Sequence, residues 1–512
     1  MRVTRPIAVV LIIAVSACAG VQSPAAAPVP SADAVRHAAS AIVAADVLRH
    51  VEYLASDELR GRDTPSPGLE RAAAYLSARL GEFGLQPAGD DGTFIRRDPV
   101  AEERVDEQAL RIEARIAGRT FRPLFGSDLF VLPARVDSVV GIPLYVGRAG
   151  QGVHVPPAVA GRIAAFFVPD SLGAAWQSAV TSALQGALMA RASAALLIMD
   201  SVFAPASVAM LADQLGAEVA PLPVIGVSWA FGATLFEEAG LDLLAASAHA
   251  AGAPVPLDAV TMALRTPLTS LSERVPNVVA VLPGSDPVLR DEYVVYTAHF
   301  DHVGVGRPDA SGDSIYNGAD DNASGTAALL KVARAFASLE RAPSRSLMFV
   351  FVSGEEKGLL GSRAFVENPP VTVDAMVANI NMDMVGRNAP DTIVAIGQEY
   401  SSLGATLDVV AARNPALGLV VAADPWPEEQ LFYRSDHFSF AAREVPSIFL
   451  TAGLHEQYHQ PGDEAHLIDT DKVARVARLV FFLGHELATV RDRPAWTAAG
   501  LDEVRRATSG GF

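Results

Sequence analysis

Six short stretches place histidines and carboxylates at spacings that could hold a metal ion or move a proton: His299 and Asp301 in YTAHFDH, Asp320-Asp321 in NGADDNASG, Glu355-Glu356 in VSGEEKG, Asp383 in NINMDMVG, Asp436-His437 in YRSDHFSF, and Tyr458-His459 in HEQYHQPG. His299 and Asp301 are two apart at the end of an apolar run, so in a strand both point to one face, where a carboxylate can orient a metal-binding imidazole. His302 falls on the opposite face and is not expected to ligate. Two successive aspartates leave one carboxylate beyond what helix capping uses; the alternative is an Asp/Asn turn. Adjacent Glu355 and Glu356 repel each other unless a cation is near, in which case one binds it and the other serves as a general base. Asp383 lies between two methionines, and a carboxylate in such surroundings needs a partner.

The stretch from His455 to His459 also spells HExxH, the zinc motif in which two histidines share a helix face. Gly453 precedes it and Pro461-Gly462 follow it, which predicts a loop. On that reading His455 and His459 do not share a helix face, and any zinc bound here takes its other ligands from elsewhere in the chain. His485-Glu486 begins a second imitation that lacks its second histidine.

Positioning these residues requires strands. From Pro276 onward, apolar runs (VVAVLPG, DEYVVYTAHFD, RSLMFVFVSGEE, AMVANINMDMVG, VPSIFLTAG) alternate with helical patterns such as SGTAALLKVARAFASL. That alternation predicts an α/β fold: a mostly parallel sheet sandwiched by helices, with ligands at the carboxyl ends of its strands. Upstream, Leu69, Ala73, Leu76, Leu80 and Phe83 form one helical stripe starting near Pro67 and stopping at Gly84. Between Leu132 and Val260 short β-branched runs separated by Gly and Pro predict a smaller inserted α/β domain. After Arg491 no pattern is evident.

A chain of 512 residues exceeds one ordinary core and predicts several domains. Its net charge of −18 argues against a nucleic-acid partner. Arg2 and Arg5 precede an apolar run, Ile7–Val15, too short to span a bilayer and shaped like an export signal. The only cysteine, Cys18, follows Val15-Ser16-Ala17 in the manner of a bacterial lipoprotein box, so lipid attachment there is expected; plain cleavage near Ala17 or Ala19 with secretion is the alternative. The expected divisions are a signal over 1–18, a flexible tether over 19–34, two parts of the main α/β domain over 35–131 and 263–490, the insertion over 132–262, and a tail over 491–512.

Taken in order, these motifs from about Pro276 to Arg478 resemble the co-catalytic di-zinc exopeptidases, a family that includes bacterial leucyl aminopeptidases and glutamate carboxypeptidase. The insertion resembles a protease-associated domain by position and texture. The resemblance implies that His299, Asp320, Glu356, Asp383 and His459 bind two Zn²⁺, with Asp320 bridging and the Asp320-Asp321 peptide in cis. It implies that Glu355 is the general acid/base, that Asp301 orients His299, and that Tyr458 lies near the reacting carbonyl. Three ligand carboxylates and one hydroxide between the ions would neutralise four positive charges, which lowers the cost of burial.

The function implied is removal of single residues from peptide ends, as an aminopeptidase acting on peptide substrates. Carboxypeptidase action would require a cation for the substrate carboxylate, with Arg387 and Arg434 as candidates. A one-zinc glutaminyl cyclase on a related fold is a further alternative. A binding module with a relic metal site is the non-enzymatic one.

Overall fold

The computed structural model describes residues 29–509, except for 107–108, 124–128, 133, 135, 137, 151–152, 170–175, 200–220, 248–253, 307 and 310. The expected signal and lipidated Cys18 lie outside the described residues.

One sheet of nine strands organises the chain: β1 (Gln86–Pro87), β2 (Ile95–Val105), β3 (Leu268–Leu282), β4 (Tyr293–His299), β5 (Ser346–Val352), β6 (Met376–Met382), β7 (Thr392–Ile396), β8 (Val420–Ala422) and β9 (Ser447–Thr451). Its spatial order is β1-β3-β5-β4-β6-β9-β7-β8, with β2 also paired to β3. The sheet is mixed. β5, β4, β6 and β9 run parallel, whereas β3 meets β5 and β7 meets β9 in antiparallel fashion. The parallel strands are those with unbroken apolar runs, because helices cover both of their faces.

The helices around this sheet are α1 (Ala32–Ser40), α2 (Ala44–Leu54), α3 (Pro67–Glu82), α4 (Gly325–Ala337), α5 (Leu360–Glu367), α6 (Ser402–Arg413), α7 (His437–Ala441), α8 (Thr470–Thr489) and α9 (Ala498–Ser509). On one face α1 to α4, α6 and α8 pack on Val294, Tyr296 and Ala298 of β4 and on Leu347, Phe349 and Phe351 of β5. On the other, Phe365 of α5 and Phe440 of α7 cover Val295, Met348, Val350 and Val352. The period-two alternation along β4 and β5 thus feeds two cores.

Two expectations about the ends are corrected. The last residues assigned to a tether are helical from Ala32, with Ser31 capping Ala34 N–H. The patternless tail contains α9, whose Val504 is buried against Phe432 and Phe438.

β2 and β3 form a ribbon running from Ile95↔Val278 out to Val105↔Leu268. The chain between those ends builds sheets of its own. One has six strands, among them Ile163–Val168, Ala194–Met199 and Val224–Ser228 in parallel; the other has four antiparallel strands, including Arg111–Ile116 and Val260–Arg265. This segment begins before the expected boundary at Leu132, because its first strands alternate in burial and lack the apolar texture of the later ones.

α8 approaches the sheet through Gly484, where an added Cβ would lie 1.5 Å from the Tyr296 hydroxyl. Gly484→Ala must push the helix off β4. The expected loss is about 1–3 kcal/mol in chemical denaturation, as for other overpacked cores, with Tyr296→Phe relieving part of it.

Candidate metal centre at the carboxyl edge of the sheet

β4 is followed in the chain by β5 on one side and then β6 on the other, so the order reverses around it. That arrangement opens a crevice at the carboxyl ends of the strands. His299 ends β4, Glu355 and Glu356 follow β5, and Asp383 follows β6. Asp321 comes from the loop before α4, and His459 from the loop after β9.

Asp321 lies between two histidines. Its Oδ1 is 3.3 Å from His299 Nε2, and its Oδ2 is 3.1 Å from His459 Nε2. On the first side Asp383 Oδ1 approaches His299 Nε2 at 3.1 Å. On the second, Glu356 Oε2 approaches His459 Nε2 at 2.9 Å. These donors form two adjoining groups that share Asp321, the second including His302, each compact enough to surround a cation, and Glu355 joins His299 and Glu356 in a third.

Asp320, expected to bridge, points elsewhere. Asp463 accepts the backbone N–H groups of Asp320 at 2.9 Å and of Asp321 at 3.1 Å. With the backbone held that way, the Asp320 side chain turns toward Gly386, whose N–H it accepts at 2.7 Å, and toward His455 Nε2 at 3.4 Å. The neighbouring cis peptide is Asp321-Asn322, not Asp320-Asp321. His302 is likewise corrected: its Nδ1 makes a 2.7 Å hydrogen bond with Glu356 Oε1, because the chain leaves the strand after His299 and strand alternation no longer applies.

The HExxH stretch is a loop of turns, as its flanking residues predict. His455 stays with Asp320, and Glu456 is exposed. The Tyr458 ring stacks on His459, with centroids 3.9 Å apart. Asp301 Oδ1 lies 3.6 Å from His299 Nδ1, beyond hydrogen-bonding distance, and accepts Glu355 N–H at 3.3 Å.

Several supports have no signal in the sequence. Arg62, fully buried, donates to the carbonyl oxygens of Phe300, Asn317 and Gly318 at 2.7–3.0 Å, and also to that of Leu54. It thereby ties the N-terminal helices to the backbone beside His299 and to the loop before Asp321. Thr64 donates to Asp301 and accepts Gly354 N–H. Ser435 donates to Asp383 Oδ2 at 2.8 Å. Asn322 receives Gly325 and Met384 N–H and donates to Met382, joining the loops of Asp321 and Asp383.

Electrostatics show what the centre demands. Burial lifts the Glu355 carboxyl well above the ordinary range; His299 opposes this, while Glu356, Asp383 and Asp436 add to it. Burial also raises Glu356, but His459 and His302 pull it down to about 2. His459 loses basicity through burial, yet Glu356 and Asp321 drive it up to about 10. The carboxylates therefore call for positive charge among them. His459 Nε2 nevertheless makes no hydrogen bond to either flanking oxygen, whereas His299 Nε2 makes one to Asp383 Oδ1 at 3.1 Å. A buried imidazole nitrogen such as His459 Nε2, aimed at two carboxylates without hydrogen-bond geometry, fits a ligand gathered with them around a cation.

Comparison with known proteins agrees with this architecture. Residues 277–483 match Peptidase family M28. A "Probable leucine aminopeptidase" of Arthroderma otae is 28% identical over 222 residues, covering 42% of this chain and 58% of its own. A "Probable zinc metalloprotease" of Pyrenophora tritici-repentis is 36% identical over 198 residues, covering 34% and 44%. The chain thus spans about half the length of these relatives. Among solved structures, an aminopeptidase from Aneurinibacillus sp. strain AM-1 superposes with a TM-score of 0.55 at 18% identity, over 90% of this chain and 97% of that one. A zinc aminopeptidase from Bacillus subtilis superposes with a TM-score of 0.56 at 16% identity, over 87% and 95%. At these identities the likeness is one of fold.

Removing Arg62 strands the buried carbonyls it serves. Arg62→Met is expected to cost more than about 2 kcal/mol in denaturant unfolding, the penalty for buried acceptors left without donors. The same variant should bind less metal per chain by elemental analysis, since Phe300 and Gly318 flank the ligand-bearing backbone.

Proposed function

We propose that this chain, which belongs to peptidase family M28 through residues 277–483, is a zinc-dependent aminopeptidase that releases single residues from the amino ends of peptides. The observation that carries the reading is Asp321, one oxygen toward His299 and the other toward His459. Two zinc ions, one among His299, Asp383 and Asp321 and the other among His459, Glu356 and Asp321, would supply Lewis acidity and bring a water's pKa to about 7.

The chain's own residues account for the remaining chemistry. Glu355 faces the cleft beside Asp321 and Asp383. Its raised pKa suits a group that takes a proton from the attacking water and returns it to the departing amine, as the water oxygen joins the acyl carbon and the C–N bond breaks. Asp301 fixes the Glu355 backbone and flanks His299. Tyr458 borders the cleft where the scissile carbonyl would sit, and Met384, Leu431, Phe449 and Leu454 give it an apolar wall suited to an apolar terminal side chain.

One observation favours carboxypeptidase action as a second reading. Arg434 lines the same cleft, with only long contacts of 3.3–3.4 Å to Glu429. Arg387, the other candidate cation, is bonded to Gln457 and is not among the cleft's lining residues.

Export with a lipid on Cys18, or secretion, belongs to the same proposal. Among the described residues no helix is long and apolar enough to cross a membrane.

Glu355→Gln is expected to keep its zinc and lose about 10²–10⁴-fold in kcat on aminoacyl p-nitroanilides; near-wild-type turnover would refute the assignment. Glu456→Gln should stay active. Dialysis against a chelator should abolish turnover, and two equivalents of zinc should restore it. Substrates with a blocked amino end should be refused, whereas their acceptance through a free carboxyl end would favour the second reading.

A further inference from the structure

His302 was expected to face away from the metal centre, and it is instead buried against it. Its Nδ1 lies 2.7 Å from Glu356 Oε1 and 3.8 Å from Asp321 Oδ2. Such a ring could either ligate an ion or hold a ligand in place. Two donors sharing one zinc at about 2.1 Å in a tetrahedron stand roughly 3.4 Å apart. The pairs His299–Asp321, His299–Asp383 and His459–Asp321, at 3.1–3.3 Å, lie near that separation, and His459–Glu356 is shorter at 2.9 Å. The 2.7 Å contact of His302 is a hydrogen bond instead. Geometry separates the two histidines beside Glu356: His459 Nε2 makes no hydrogen bond to the carboxylates next to it, whereas His302 Nδ1 makes one to Oε1.

The two oxygens of Glu356 therefore have different surroundings. Oε1 meets His302, and Oε2 meets His459. We propose that His302 is a positioning residue: its Nδ1–H donates to Glu356 Oε1 and leaves Oε2 as the one oxygen offered to the ion beside His459. This assignment rests on the two-zinc reading and deepens it. It makes the two ion positions unequal, because the carboxylate on the other side, Asp383, is held by the Ser435 hydroxyl.

The backbone is arranged to bring the ring there. His302 N–H donates to the Arg62 carbonyl at 3.3 Å. Gly318 has a left-handed φ of 59°, and a Cβ on it would lie 2.5 Å from Cγ and Cδ2 of His302. Glycine at 318 thus serves both the turn and the close approach of the imidazole.

The test is zinc affinity, measured on the full chain by competition with a chromophoric chelator after metal removal. Wild type should show two zinc equivalents. His302→Ala should weaken one of them about 10–100-fold, the usual cost of losing a group that orients a ligand, and leave the other within about two-fold. The unchanged equivalent doubles as evidence that the variant is folded. His302→Asn, whose amide nitrogen can stand in for Nδ1–H, should recover most of the loss. Two equivalents of wild-type affinity in His302→Ala would overturn the proposal. An Asn variant as weak as the Ala variant would also overturn it, assigning His302 to direct ligation. Fewer than two equivalents in the wild type would sink the two-zinc reading itself, and the inequality of sites with it.

Discussion

Carboxylates crowded at one buried sheet edge are the constraint that the rest of this structure answers. Asp301, Asp320, Asp321, Asp383, Asp436 and Asp463 are all buried there. Bringing them together without compensation costs far more than a domain's net stability. Part of the compensation is protein: Arg62, fully buried, brings one positive charge, though its donors serve carbonyl oxygens. Backbone N–H groups and hydroxyls supply more, as Asp463 and Asp383 show. What remains is a demand for further positive charge around Asp321, and the proposed chemistry of the site starts from there.

The sheet makes that crowding possible. Because the chain order reverses around β4, the loops after β4, β5 and β6 open into the same crevice. Each loop contributes residues of a different kind: an imidazole from β4, a pair of glutamates from β5, an aspartate from β6. Short turns after buried strands hold these groups with little freedom, so Glu355 and Glu356, adjacent in the chain, can differ in environment and in task. Burial and like charges keep Glu355 protonatable, while flanking histidines keep Glu356 ionised. Paired carboxylates whose surroundings push their pKa values apart have the form of an acid/base group beside a ligand.

The HExxH stretch, a loop and not a helix, has a structural part of its own. His455 lies against Asp320, the aspartate that does not face the cluster, and this contact fastens the loop of His459 to the loop of Asp321. Gly453, in the left-handed region, leaves room for the Trp426 ring at the same place. Residues that spell a metal motif thus pack behind the candidate metal centre.

Composition and periodicity by themselves determined the alternation of buried strands and helices, the loop at His455–His459, and the residue types at each strand end, because burial on both faces leaves continuous apolar runs that can be read locally. The antiparallel edges, the early start of the insertion and the α9 helix were not legible; pairing partners and amphipathic packing over short segments depend on the rest of the chain. The same holds for the choice between Asp320 and Asp321. Both are aspartates in the same short NGADDN stretch, and nothing local distinguishes them. Asp463, some 140 residues away, decides by accepting both of their N–H groups and turning one side chain inward and the other out. His302 and Arg62 were decided the same way, since side-chain direction in a loop follows from distant hydrogen-bond partners and not from the period of a strand.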